Sequence, residues 1–146
     1  MIYNFFAEFQ TVPTTEITAT KFMTNFMGIS STNRQRRVTV PPKDIVMVID
    51  GSQSIGSCEF KRGKKALKNM LLAAHTKNRD EKYAAVTFSW SARVNFKFLR
   101  YSEAQTGLTG IPYPDSWTNT QAGLAKAKEL FEDSSAGERK QPQCKR

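Results

Sequence analysis

The sequence contains one histidine and two cysteines, and these low numbers exclude several kinds of site. His75 falls near the end of a predicted helix, so no histidine is placed to activate a serine for nucleophilic catalysis. Cys58 and Cys144 have neither the spacing of a metal site nor the number that a disulfide framework needs, and the sequence does not decide whether they pair. We therefore predict that the protein is not an enzyme.

Long apolar segments are also absent. No run of about 18 apolar residues occurs, so we expect no membrane span. Residues 1–9 lack a basic flank and Glu8 interrupts them, so no signal peptide is visible. A phosphate-binding loop is excluded, because the glycines and serines at residues 51–56 lack a following Gly-Lys-Ser/Thr run.

Positive charge is in excess, with a net charge of +9 at pH 7. The excess is spread along the chain, and charge alone is weak support for a nucleic-acid interface, so no nucleic-acid partner is predicted. One basic cluster lies on a predicted helix, and a solvated helix face explains it better than an anion-binding patch does. This cluster consists of Lys61, Arg62, Lys64, Lys65 and Lys68.

The rest of the chain is organised around residues 44–56, which read DIVMVIDGSQSIG. Residues 45–49 are apolar without alternation, which indicates a strand buried on both faces. Asp50, Ser52 and Ser54 follow as a D-x-S-x-S sequence, and one carboxylate with two hydroxyls suits a hard divalent cation such as Mg²⁺. The same residue types are also common as turn residues and helix caps where a strand passes into a helix.

The elements after this strand predict α/β layers with a parallel pair of strands. A helix is predicted over residues 57–75 and a mostly apolar strand over residues 83–88. Residues 93–98 alternate between apolar and polar, which is typical of a half-exposed edge strand joined by a hairpin. Residues 101–110 form a weakly helical or irregular connection, and a last helix ends near Phe131.

The first part of the chain differs in composition from the rest. Thr, Asn and Ser are frequent there, three arginines cluster, and a pair of prolines closes the segment. We predict a leader or linker with little structure over residues 1–43 and a single domain over residues 44–146.

Four pieces of sequence, taken together and in order, resemble the von Willebrand factor type A domain, as found in integrin inserted domains. The pieces are residues 44–56, FKRGKKAL at 60–67, AVTFS at 85–89 and WTNTQAGL at 117–124. The resemblance implies a Rossmann-like, doubly wound α/β fold, with a mainly parallel sheet and one antiparallel edge strand.

In that family the D-x-S-x-S cluster is a metal-ion-dependent adhesion site. The resemblance implies that Ser52 and Ser54 bind Mg²⁺ or Mn²⁺ directly and that Asp50 binds it directly or through water. Thr118 corresponds to a loop threonine that joins the ion when an acidic residue of the partner completes the coordination. Residues 118–121 also read as a capping box that starts the last helix, so both roles stay open for Thr118. The implied function is adhesion to an exposed Asp or Glu of a matrix or cell-surface protein, outside the cell.

Two departures from the family pattern set further expectations. Asp115 and Ser116 stand where small glycines commonly precede the threonine, which stiffens the loop or brings a negative charge near the ion. The family's next strand, which delivers a second aspartate, would begin near Cys144, so we expect a partial domain that is incomplete at its C-terminus. Metal binding would then be weak, and the strand over residues 44–50 would have an exposed edge through which chains self-associate. The alternative function is a truncated structural remnant that binds no metal.

Overall fold

Strands and helices follow one another along the chain. The computed structural model describes residues 2–4, 42–76 and 80–139. The strands are β1 (Ile2–Asn4), β2 (Asp44–Asp50), β3 (Lys82–Phe88) and β4 (Ala92–Leu99), and the helices are α1 (Gly56–His75), α2 (Tyr101–Gly110) and α3 (Thr120–Glu132).

The strands form one sheet in the order β1-β2-β3-β4. β2 is parallel to both β1 and β3, whereas β4 is antiparallel to β3. The parallel connection from β2 to β3 passes through α1, because parallel neighbours need a crossover that a hairpin cannot supply. The predicted fold, a mainly parallel α/β sheet with an antiparallel edge strand, is confirmed.

The apolar residues of β2 pack alternately on the two faces of the sheet. Ile45, Met47 and Ile49 are buried in a cluster that also contains residues of α1 and α2. Val46 and Val48 are buried in a second cluster, which contains Ala127 and Leu130 of α3 on the other face. Because helices cover both faces, every position of the strand has to be apolar, which is why the sequence shows no alternation.

The helices differ in how clearly the sequence predicts them. α1 begins at Gly56, one residue earlier than expected, and buries Phe60, Leu67, Leu71 and Ala74. α2 is a regular ten-residue helix, although the sequence indicates only a weakly helical connection. A Cβ added at Gly107 of α2 would lie 2.6 Å from the Phe96 ring, so close packing on β4 stabilises a helix of low propensity. None of the described helices combines the length and the apolar character that crossing a membrane requires.

Part of the predicted leader lies in the sheet. β1 pairs with β2 in a register that places Ile2 beside Val46 and Asn4 beside Val48. This differs from the expectation that residues 1–43 stand outside the fold and that β2 has an open edge. Unpaired N–H and C=O groups along a strand edge favour pairing with an extended segment, and β1 satisfies them over three residues. Residues 5–41 of that leader, and Cys144, lie outside the described residues.

The topology brings several loops to one edge of the sheet. Asp50 pairs with Phe88, so β2 and β3 end side by side. The loop that leads from β2 into α1, the turn that follows β3 and the segment that precedes α3 all lie at this edge. The carboxyl ends of parallel strands are where open α/β sheets bind their ligands.

Candidate metal-binding site

The D-x-S-x-S sequence folds into a tight turn at the end of β2. One carboxylate oxygen of Asp50 accepts a hydrogen bond from the Ser52 backbone N–H at 2.8 Å. The Oγ atoms of Ser52 and Ser54 lie 3.0 Å apart. The turn closes where the Ile55 N–H donates to the Ser52 carbonyl, at 3.1 Å, and α1 begins at the next residue. Asp50, Ser52 and Ser54 are therefore brought together, as the sequence predicts.

The three side chains differ in their access to solvent. Ser52 is fully buried, Asp50 is half-buried and Ser54 is exposed. The Ser52 hydroxyl is therefore enclosed by the protein and lies against the Ser54 hydroxyl. The cluster opens to solvent beside Ser54, so an ion there would keep some of its water or accept an outside ligand.

The spacing of the two hydroxyl oxygens is compatible with a cation of the size of Mg²⁺. Adjacent ligands of an octahedral ion with bonds of about 2.0–2.1 Å lie about 2.8–3.0 Å apart, whereas the longer bonds of Ca²⁺ require about 3.3–3.7 Å. The separation of the two hydroxyl oxygens, 3.0 Å, matches the smaller ion, although a hydrogen bond between them gives the same distance. Among the described residues no group of three or more His, Cys, Asp and Glu side chains could hold a metal. An ion at this site would therefore depend on hydroxyls and one carboxylate.

A second loop is fastened against the turn by backbone hydrogen bonds. The Asp115 N–H donates to the Gly51 carbonyl at 3.2 Å, and the Gln53 N–H donates to the Ser116 carbonyl at 2.8 Å. Ser116 also forms an isolated parallel bridge with Ser52. A Cβ at Gly51 would lie 2.4 Å from Cδ of Pro114, so only glycine allows the two loops to approach this closely.

Thr118 lies two residues beyond this bridge and is exposed. The predicted capping box is wrong, because the residue that caps α3 is Asn119, whose side-chain oxygen accepts from the Ala122 N–H at 3.0 Å. A cap at Asn119 shifts the start of the helix by one residue and leaves the Thr118 hydroxyl outside it. Thr118 is therefore not needed to cap α3.

Tyr113 is part of the site and was missed by the sequence reasoning. Its hydroxyl donates to the Ser52 carbonyl at 3.0 Å, and its ring packs on Phe60 with centroids 5.2 Å apart. Partial desolvation raises the pKa of the Tyr113 phenol, and the negative charges of Asp115 and Asp50 raise it further. The available signal was an aromatic residue between two prolines, which marks a stiff segment able to hold a side chain in place.

Two lysines of the basic cluster contact another element of the fold, which differs from the expected solvated helix face. Lys64 Nζ donates to the Ile111 carbonyl at 2.7 Å and to the Thr109 carbonyl at 3.1 Å. Lys68 Nζ donates to Thr109 Oγ1 at 2.9 Å. Partial burial, followed by the charges of Lys61 and Lys68, lowers the pKa of Lys64. These lysines bind the C-terminal end of α2 and so fix the start of the segment that carries Tyr113.

Comparison with known proteins is consistent with this architecture. The similar sequences include human vitrin, which is 32% identical over 101 residues, or 66% of this chain and 15% of vitrin. Bovine vitrin is 31% identical over 101 residues, again 66% of this chain and 16% of vitrin. The chain therefore spans only a small part of the length of these relatives.

Solved structures share the fold. Proximal thread matrix protein 1 from the mussel byssus, with a zinc-occupied MIDAS motif, has a TM-score of 0.54 at 22% identity, covering 64% of this chain and 26% of that one. A von Willebrand factor type A structure from Catenulispora acidiphila has a TM-score of 0.51 at 22% identity, covering 64% and 24%. The family model described as von Willebrand factor type A domain matches residues 44–145. Because this match covers more than half of the chain, the protein belongs to the von Willebrand factor type A domain family.

Proposed function

We propose that this protein is a non-enzymatic adhesion module that binds a divalent cation, Mg²⁺ or Mn²⁺, through Asp50, Ser52 and Ser54. Through that cation it binds an acidic residue of a partner protein. The observation that supports this most strongly is the convergence of the three side chains, with the serine oxygens 3.0 Å apart and Asp50 fixed by the Ser52 N–H. The mussel protein, whose structure carries zinc in its MIDAS motif, is consistent with a divalent ion in this fold.

The charge of the donor set supports an acidic ligand. A divalent ion held by one carboxylate and two neutral hydroxyls keeps a net positive charge, so it gains by accepting a carboxylate from outside. We assign Thr118 to the partner-bound state, because its hydroxyl is exposed and its loop is fastened to the D-x-S-x-S turn at Ser116.

Exposed aromatic residues support a protein partner. Trp90, in the turn after β3, is 69% exposed, and Trp117, beside Thr118, is 79% exposed. Both belong to loops at the edge of the sheet that carries the oxygen cluster. Tryptophan is enriched at the energetic centres of protein interfaces, so two of them around an ion suit a partner with apolar surface next to its acidic residue.

The position of the lone histidine favours a binding module over a hydrolase. His75 ends α1, a 20-residue helix that starts at the site, which places it about 30 Å away. Its ring stacks on Tyr101, with centroids 4.1 Å apart. Neither serine of the site therefore has this base within reach.

The family and the mussel matrix protein favour a place outside the cell, and we propose a matrix or cell-surface protein as the partner. The test is a peptide array in which each synthetic peptide carries one Glu and is paired with its Gln counterpart, probed in Mg²⁺ and in EDTA. Binding that needs both Mg²⁺ and Glu, and that Ser54→Ala removes, is the expected result. Ser57→Ala is the matched control, because Ser57 is an exposed serine in the first turn of α1. Equal binding in EDTA, or to the Gln peptides, would instead favour a remnant that uses no metal.

A further inference from the structure

Asp115 has an unusual backbone conformation beside the oxygen cluster. Its φ is +50°, and it is the one non-glycine residue with a positive φ in the part of the chain that the structure describes. Aspartate tolerates this region better than most residues, yet glycine is the usual choice. The chain therefore has an aspartate at a position where glycine would have less backbone strain.

Backbone contacts fix Asp115 next to the turn. Its N–H donates to the Gly51 carbonyl at 3.2 Å. The following residue, Ser116, bridges Ser52 and accepts from the Gln53 N–H at 2.8 Å. Asp115 therefore lies beside residues 51–53, the part of the turn between Asp50 and Ser54.

Tyr113 also joins the two loops at this point. Burial raises the pKa of its phenol, and the nearby charges of Asp115 and Asp50 raise it further. The same phenol donates to the Ser52 carbonyl at 3.0 Å. Asp115 and Asp50 therefore both lie next to Ser52, Asp115 through its backbone contact with Gly51 and Asp50 through its hydrogen bond from the Ser52 N–H.

We propose that Asp115 supplies a second negative charge to the cation held by Asp50, Ser52 and Ser54. The inference rests on the proposed metal site and adds a residue to it. The expectation of weak metal binding rested on the absence of the aspartate that the family's next strand delivers. Asp115, beside the turn, places a second carboxylate near the site.

The magnitude follows from Coulomb's law. A divalent cation and a carboxylate about 6 Å apart in water attract each other enough to change affinity roughly tenfold. Asp115 is exposed, so salt reduces this effect somewhat. Removing the charge of Asp115 should therefore weaken Mn²⁺ binding about five- to tenfold. A charge at the far end of the molecule is screened by salt and should change it much less.

The test is Mn²⁺ titration by calorimetry on the full chain and on Asp115→Asn and Asp115→Gly. Both replacements remove the charge and tolerate a positive φ, so the loop keeps its conformation. Glu103→Gln is the matched control, because Glu103 is an exposed acid in the first turn of α2, two residues from the Tyr101 that stacks on His75. Thermal melts confirm that each variant is folded.

The expected result is a five- to tenfold loss of Mn²⁺ affinity in both Asp115 variants and little change in Glu103→Gln. Parental affinity in Asp115→Asn and Asp115→Gly would overturn the inference and leave the metal site itself standing. Absence of Mn²⁺ binding by the folded parent would overturn both. Tyr113→Phe separates charge from loop position. An equal loss in this variant, which keeps the charge of Asp115, would show that affinity depends on the bond from Tyr113 to the Ser52 carbonyl and on the loop position, and would overturn the charge assignment.

Discussion

Replacement of Gly51 by alanine should damage both stability and the metal site. A Cβ at this position would lie 2.4 Å from Cδ and 2.7 Å from Cγ of Pro114, and 3.0 Å from Cγ2 of Thr87. Favourable contacts between carbon atoms lie at about 3.5–4.0 Å, so the contact with the proline is about 1 Å too short. A proline ring has no rotamer that turns it away, and therefore the loop itself has to move.

The cost of this movement follows from the behaviour of overpacked sites. Inserting one methyl group into a well-packed contact typically costs about 1–3 kcal/mol. For a chain of this length, that corresponds to a fall in melting temperature of roughly 3–12 °C. Because the displaced loop also carries Asp115 and Ser116, which bond to the D-x-S-x-S turn, affinity for Mn²⁺ should fall as well.

Thermal unfolding followed by circular dichroism, with Mn²⁺ titration of the folded protein, measures both effects. Gly110→Ala is the matched control, because a Cβ there meets nothing within 4 Å at the exposed end of α2. This variant should be neutral or more stable by up to about 1 kcal/mol, since alanine has the higher helix propensity. The reasoning is refuted if Gly51→Ala melts at the parental temperature and binds Mn²⁺ as well as the parent.

Three further outcomes are expected. Lys64→Gln should lower the free energy of unfolding by about 1 kcal/mol in urea titrations, because the Lys64 ammonium group donates to two carbonyls at the end of α2. The control, Lys65→Gln at an exposed position, should change it by less than about 0.5 kcal/mol. Equal effects of the two replacements would contradict the structural role of Lys64. Hydrogen bonds from Lys97 and Ser135 lower the pKa of Asp133 to about 2 from a usual 3.8. Its stabilising contribution is therefore complete above about pH 4 and disappears as the pH falls towards 2, and urea midpoints of Asp133→Asn should lack this acid-dependent loss. Asn119→Ala should cost about 1 kcal/mol in thermal melts through the lost α3 cap, and an unchanged melt would contradict it.

The sequence predicts the fold well where hydrophobic pattern and topology agree. The unbroken apolar run of β2, the three- and four-residue spacing of the buried residues in α1 and the alternation in β4 each correspond to one mode of burial, so these patterns are informative. α2 is less predictable because its stability depends on Gly107 packing against Phe96, a tertiary contact that local propensity does not register. The pairing of β1 is missed for a related reason. Three residues carry too little pattern to indicate a strand, and their pairing depends on the edge that β2 offers.

The sequence predicts the candidate site only in part. Asp50, Ser52 and Ser54 are adjacent in the chain, so a single turn brings them together and their spacing is a direct signal. Tyr113 and Asp115 come to the same place from about sixty residues further along, through backbone bonds between two loops. No local pattern encodes that approach, because it depends on the absence of a side chain at Gly51.

The most direct test of the proposed function is calorimetric titration of the folded chain and of Asp50→Asn with Mn²⁺. Asparagine keeps an oxygen that can accept from the Ser52 N–H, so the turn should persist while the charge is lost. The proposal predicts saturable binding by the parent, reversed by EDTA, and its loss in Asp50→Asn at an unchanged melting temperature. Binding of Mn²⁺ by Asp50→Asn with the affinity of the parent would contradict the assignment of the site.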